Sequence, residues 1–109
     1  MAFDEELADR VRSVLCDVPG VTERKMFGGI AFMVSGHMAC GIVGDDLMLR
    51  LGEDGAATAR SQPHVRPMDV TGRPMKSMVF IEPVGIARQQ DLAEWVGRSV
   101  AHAASLPPT

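Results

Sequence analysis

The stretch that decides the fold runs from Arg24 to Leu51 and reads RKMFGGIAFMVSGHMACGIVGDDLMLRL. Its apolar segments are separated by Ser35-Gly36 and Gly44-Asp45, which have the composition of two-residue turns between antiparallel strands. The pattern therefore predicts a three-strand antiparallel meander. Gly28-Gly29 falls inside the first predicted strand, where a pair of glycines indicates a bulge or a close backbone crossing.

The two turns also predict the strand register, and the register predicts two apolar sheet faces. The turn at Ser35-Gly36 places Phe32 opposite Ala39, and directly opposed residues share a face. The predicted core face, which should receive the helices, carries Ala31, Met33, Met38, Cys40, Ile42, Leu47, Leu49 and Leu51. The predicted second face carries Ile30, Phe32, Val34, His37, Ala39, Gly41, Val43, Asp46, Met48 and Arg50. A slip of one residue would exchange the two faces.

The rest of the chain predicts three helices and a second hairpin. Apolar residues recur at helical spacing in residues 3–18, the alanine-rich segment 53–61 indicates a short helix, and a final helix ends near Ala104. Residues 64–69 and 74–81 indicate two strands that turn at Thr71-Gly72. The order is helix, three strands, helix, two strands, helix. It predicts one α+β domain over residues 1–109, with helices on an antiparallel sheet.

Composition and charge narrow the class of protein. The chain has 109 residues, of which 46% are hydrophobic, enough for one globular core. A net charge of −3 argues against a surface that attracts nucleic acid as a whole. The acidic beginning of the chain and the absence of a long apolar run predict a cytoplasmic protein that does not enter a membrane. Cys16 and Cys40 are expected to be free thiols in that reducing environment.

No set of residues in the sequence predicts catalysis, a metal site or a cofactor. His37 and Cys40 are three residues apart on a strand, so the predicted register places them on opposite faces, whereas zinc needs converging ligands. Cys40 is expected to be a buried, unreactive thiol. Gly28-Gly29 lacks the spacing of a phosphate-binding loop.

Two surfaces remain as candidate sites. The predicted second face is apolar where an exposed sheet face is usually polar, which indicates that another subunit, another part of the chain or a ligand covers it. The residues assigned to this partner or ligand face are Ile30, Phe32, Met48 and Arg50. The second candidate is an anion-binding set on or beside the later hairpin, made of Arg66, Arg73 and Lys76. The alternative is that these cations are solvated charges that protect a sheet edge.

The chain resembles the TfoX/Sxy family, specifically its N-terminal domain. The resemblance covers nearly the whole chain and rests on five blocks that occur in order: residues 25–33 (KMFGGIAFM), 37–41 (HMACG), 46–50 (DLMLR), 63–68 (PHVRPM) and 71–76 (TGRPMK). It implies a fold similar to the YgaC group and to type III secretion chaperones. Better-known members of the family regulate natural competence with a cyclic-AMP-responsive transcription activator, and they carry a C-terminal domain of short helices. Because this chain ends at Thr109, we expect a stand-alone short form.

Three functions are compatible with these observations. The first is a non-catalytic regulatory or protein-interaction module, which forms a homodimer through the predicted second face or binds an unidentified protein. The second is a transcription cofactor that contacts nucleic acid through the hairpin of residues 66–76, although the net negative charge disfavours tight binding by the chain alone. The third is a small-molecule binding protein or an enzyme that uses the predicted second face. No catalytic residue is carried over from the family.

Overall fold

The protein is a two-layer α+β domain in which three helices cover one face of a six-stranded antiparallel sheet. A computed structural model describes residues 3–26, 28–69 and 74–107. The helices are α1 (Glu5–Leu15), α2 (Gly52–Arg60) and α3 (Gln89–Ser105), with a short 3₁₀ helix at Pro83–Ile86. The strands are β1 (Val21–Met26), β2 (Gly29–Val34), β3 (His37–Val43), β4 (Asp46–Arg50), β5 (Val65–Asp69) and β6 (Pro74–Ile81). The predicted fold class is confirmed, whereas the predicted turn at Thr71-Gly72 lies outside the described residues.

The sheet contains one strand more than the sequence predicts, because the first predicted strand is two strands. The strand order is β1-β2-β3-β4-β6-β5, and Met26 at the end of β1 pairs with Gly29 at the start of β2. Gly28 has φ +71°, a conformation that glycine adopts without a steric penalty, so it belongs to a turn and not to a strand. A Cβ atom on Gly29 would lie 2.0 Å from the carbonyl oxygen of Ile42. The glycine pair therefore marks a hairpin and, at Gly29, a close crossing with β3.

A β-bulge at Ala39 changes the register between β2 and β3. The pairs next to the turn are those predicted, since Val34 lies opposite His37 and Met33 opposite Met38. Beyond them, Phe32 pairs with Cys40 and not with Ala39, and the ladder continues one residue out of the predicted register. A bulge places two residues of one strand opposite one residue of the next, so Ala39 is the extra residue.

The bulge transfers β2 to the other side of the sheet relative to the prediction. Ile30 and Phe32 lie in the same buried cluster as Cys40 and as residues of all three helices. The prediction that they share a face with Met48 is therefore wrong, as is the placement of Met33 and Met38 on the core face. The register predicted between β3 and β4 is confirmed, because the structure has the following pairs: Cys40 with Leu49, Gly41 with Met48, and Ile42 with Leu47.

One core joins the three helices to the sheet. Its sheet residues are Ile30, Phe32, Cys40, Ile42, Leu47, Leu49, Val79 and Ile81, and its helix residues include Leu7, Val11, Ala56, Ala59, Leu92 and Val96. We call this side of the sheet the helix-covered face. Asp4 caps α1, because its Oδ1 accepts hydrogen bonds from the amides of Glu6 and Leu7. The guanidinium of Arg10 donates to the carbonyl of Ile86 and to the side chain of Gln89, which links α1 to the start of α3.

The register predicts a clear difference between two neighbouring substitutions. Phe32→Ala should lower the free energy of unfolding by about 3–5 kcal/mol, because the ring is fully buried under the helices. Met33→Ala, at a partly buried position on the opposite face, should cost about 1 kcal/mol. Urea unfolding of both variants measures the difference. Equal costs, or a larger cost for Met33→Ala, would contradict the observed register.

Candidate functional site

The side of the sheet opposite the helices carries a continuous row of residues that crosses all six strands. Ladder pairing places these residues side by side in the order Arg24, Ala31, Gly41, Met48, Phe80 and Arg66. A second row carries Met33 beside Met38 and, further along the sheet, Arg50 beside Met78. We call the surface formed by these ten residues the open face. It is apolar and sulfur-rich in its middle and has an arginine at each end of the first row.

Methionine side chains on the open face pack on one another. Met48 is fully buried and Met78 is 5% exposed, and both belong to a small cluster with the partly buried Met38 and Phe80. All four of these residues lie on strands. Gly41 makes room for the arrangement, because a Cβ atom there would lie 2.7 Å from the Cε of Met48. The thioether of Met48 therefore lies over the backbone of β3, and the flexible methionine chains form a surface that can adapt to a partner.

The three arginines of the open face are in different environments. Arg66 is held by the carboxylates of Asp46 and Glu82, and its guanidinium carbon lies 5.4 Å from the centre of the Phe80 ring. Arg24 is exposed on β1, and Arg50 is half-buried on β4. Among the described side chains, no ion pair involves Arg24 or Arg50. Of the three arginines, Arg66 is therefore the one that a described carboxylate neutralises.

The structure separates the four residues predicted as a partner or ligand face. Met48 and Arg50 lie on the open face, whereas Ile30 and Phe32 lie in the core on the helix-covered face. The bulge at Ala39 causes this separation. It has no signal in the sequence, because the run from Met38 to Val43 is apolar without alternation. Sequence reasoning also missed Phe80 and Met78, whose position beside β4 depends on a crossover through α2 and β5.

The predicted anion-binding set is not seen as one cluster. Arg66 is engaged by two carboxylates, which compete with any added anion. Lys76 is exposed on β6, and its backbone carbonyl accepts a hydrogen bond from Arg60. Arg73 lies outside the described residues. Binding of an anion by these three residues stays a prediction.

The two thiols have opposite environments. Burial raises the pKa of the Cys40 thiol to about 12, although a hydrogen bond with Ser99 partly offsets this effect. Cys16, at the end of α1, is exposed. His37 pairs with Val34 and lies on the same side of the sheet as that residue. Its Nε2 is hydrogen-bonded to the carbonyl oxygen of Pro107.

Metal-binding and membrane-spanning features were sought in the part of the chain that the structure describes. In residues 3–26, 28–69 and 74–107, no three His, Cys, Asp or Glu side chains are grouped as ligands of a metal ion. No helix within those ranges has the length and apolar character needed to cross a membrane.

Fold and surface together define a class of protein: a small α+β domain in which the described helices form a single layer on one side of the sheet and the other side is methionine-rich. The family model described as the TfoX N-terminal domain matches residues 13–103. The chain therefore belongs to the TfoX N-terminal domain family, as the resemblance in the sequence predicts. A search of curated proteins finds no match.

The thiol environments predict strongly unequal reactivity. At pH 8 only about one Cys40 side chain in ten thousand would be a thiolate in the folded protein, because the pKa lies about four units above that pH. Since the thiolate is the reactive form, Ellman's reagent should modify one thiol per chain rapidly and the second only after unfolding. A Cys16→Ser variant should show no rapid phase. Rapid modification of two thiols in the native protein would contradict this assignment.

Proposed function

We propose that this TfoX N-terminal domain is a regulatory protein-interaction module, and that the open face is its contact surface. The observation that carries the proposal is the one-sided position of the helices. An antiparallel sheet with one solvated face normally has polar side chains there, whereas the open face carries four methionines and a phenylalanine, of which Met33, Met38 and Phe80 are partly exposed. Such a surface is typical of a site that is covered in an assembly.

The chemistry of the described side chains favours binding over catalysis. A nucleophilic cysteine would need a lowered pKa, whereas the pKa of Cys40 is raised and its side chain is fully buried. His37 is occupied by a backbone carbonyl near the end of α3. The open face itself offers thioethers, one ring and guanidinium groups, which recognise a surface and do not constitute an acid–base pair.

The environment and the occupant of the open face are part of the same proposal. Two free cysteines fit a reducing compartment, and we therefore place the protein in the cytoplasm. The face can be covered by a second copy of the chain, giving a homodimer, or by a different protein. The homodimer expected from the sequence would lose Ile30 and Phe32 as contact residues and would use the partly exposed Met33 and Met38 in their place.

Charge introduced on the open face should abolish the interaction without unfolding the domain. Met33→Glu with Met38→Glu places two carboxylates among partly buried methionines, so a protein captured from a host extract by the tagged wild-type chain should be lost. Val84→Glu is the matched control, because Val84 is 62% exposed within the 3₁₀ helix and away from the open face. Capture followed by mass spectrometry, with circular dichroism of each variant, measures the effect.

Sedimentation velocity on the same three proteins tests the homodimer. A wild-type dimer that becomes a monomer only in the Met33→Glu/Met38→Glu variant would identify the second copy as the occupant. If the wild type is a monomer and both variants capture the same proteins as the wild type, the open face is not a contact surface and the proposal fails.

A further inference from the structure

The charges around the open face allow its partner to be described more closely. We propose that the open face binds an amphipathic helical segment of another protein, an inference that rests on the proposed function. The apolar stripe of that segment would be flanked on both sides by Asp or Glu. Its helix would lie along β2 and β3, between Arg24 and Arg50.

The first argument is that charge is segregated in this molecule. The chain as a whole carries −3, yet the open face holds three arginines. Of the described acidic residues, Asp46 and Glu82 reach this region, and both are paired with Arg66. Arg24 and Arg50 have no ion pair among the described residues and are left to attract carboxylates.

Arginines on the helix side are engaged within the chain. Arg12 pairs with Asp9 and Glu23, Arg88 with Asp91, and Arg98 with Glu94, whereas Arg10 and Arg60 donate hydrogen bonds to backbone carbonyls. Three of these five arginines are therefore neutralised by carboxylates, in contrast to Arg24 and Arg50. Complementary charge at the rim of an apolar contact sets the choice and orientation of the partner.

The second argument is the width of the surface between the two arginines. Arg24 is on β1 and Arg50 on β4, three strands apart, and neighbouring strands are about 4.8 Å apart, so the two lie about 14 Å apart across the sheet. An α-helix with its side chains is about 10–12 Å wide. Between the arginines Ala31 and Gly41 are buried beneath neighbouring side chains, and the partly exposed Met33 and Met38 form the surface over β2 and β3. A helix is narrower than the interval between the arginines and fits on this methionine surface, with one arginine along each flank.

Strand length indicates how long the bound segment can be. β3 has seven residues, which at about 3.3 Å per residue span about 23 Å. A helix rises about 1.5 Å per residue, so about 15 residues cover the strand. The partly exposed Met33 and Met38 would contact the apolar stripe of such a helix.

A second copy of the chain fits this surface poorly. A two-fold symmetric contact places the same patch on both sides of the interface. It would bring Arg24 and Arg50 of both copies to one interface, and the open face offers no described carboxylate that is not already paired with Arg66. The like charges would oppose that association.

A single strand of nucleic acid also fits poorly. Proteins that bind single strands stack bases on exposed aromatic rings. Among the described residues of the open face, Phe80 is the sole aromatic side chain, and it is partly buried with Arg66 over its ring. The net negative charge of the chain also disfavours the phosphate backbone.

Peptide selection on the full chain tests the inference. A display library of 15-residue helical peptides would keep an apolar stripe constant and vary the flanking positions freely. We expect the selected peptides to carry Asp or Glu on both flanks. Bound to isotopically labelled protein, the best synthetic peptide should shift the amide signals of Arg24, Ala31, Gly41 and Arg50 and leave those of α3 unchanged.

Charge reversal supplies the matched comparison. Arg24→Glu with Arg50→Glu should weaken binding of the acidic peptide at least tenfold and should strengthen binding of the same peptide with Lys on its flanks. Arg88→Glu with Arg98→Glu changes the net charge equally on exposed positions of the helix side and should leave both affinities unchanged. Because Arg50 is half-buried, Arg24→Glu alone and Arg50→Gln provide variants that preserve the fold.

The remaining outcomes show whether the helix inference fails or the proposed function fails. Peptides that bind the open face without acidic flanks, or that are insensitive to charge reversal, overturn the inference and leave the contact surface standing. A homodimer through the open face, or tighter binding of a 15-residue oligothymidine there, also overturns it. Selected peptides that shift only signals away from the open face, or a library that yields no binder, overturn the inference as well. Capture that survives Met33→Glu/Met38→Glu is the separate result that removes the proposed function.

Discussion

The architecture depends on one extra residue, Ala39, in the third strand. A sheet that packs against helices on one side must present apolar side chains on that side in every strand. Without the bulge, Phe32 of β2 and Cys40 of β3 would point to opposite sides of the sheet. The bulge brings Phe32 into line with Cys40 and Leu49, so that a single core extends from α1 across the sheet to β6. Ala39 itself packs with Val34 and Ala103 of α3, where its small side chain leaves room for the helix.

The same residue decides what is left on the other side of the sheet. Turning Phe32 and Ile30 toward the helices turns Ala31 and Met33 away from them. On β2 the open face is therefore built from Ala31 and Met33 and not from Ile30 and Phe32. It is flatter and more adaptable than the predicted second face would be, because methionine has three rotatable bonds and no branch. This quality suits a contact surface better than an enclosed ligand site.

Charge and burial differ between the two sides of the sheet. On the helix side, the arginines neutralise neighbouring carboxylates or tie helices together, as Arg10 does between α1 and α3. On the open side, the carboxylates of Asp46 and Glu82 neutralise Arg66 on β5, while Arg24 and Arg50 lie on the strands that flank β2 and β3. Membership of the TfoX N-terminal domain family identifies the module, and the arrangement of the open face is the basis of the proposed partner chemistry.

The sequence by itself determined the local structure. Turn residues located the hairpins at Ser35-Gly36 and Gly44-Asp45, helical spacing located α1 and α3, and the α+β class followed from the order of elements. The β3–β4 register followed too, because a two-residue turn fixes the pairing of the strands beside it. Gly28 was misread as part of a strand, since a glycine in a turn and a glycine in a strand look alike without the partner strand.

Only the tertiary structure decided which side of β2 meets the helices, and with it the composition of the open face. A bulge is stabilised by packing on both sides of the strand and has no required residue type, so an apolar run such as Met38–Val43 does not reveal it. The pairing of β6 with β4, which completes the methionine cluster with Met78 and Phe80, likewise depends on a long-range crossover. Local sequence sets the turns and helices through short-range sterics, whereas the choice between two apolar faces is made by the fit of the whole core.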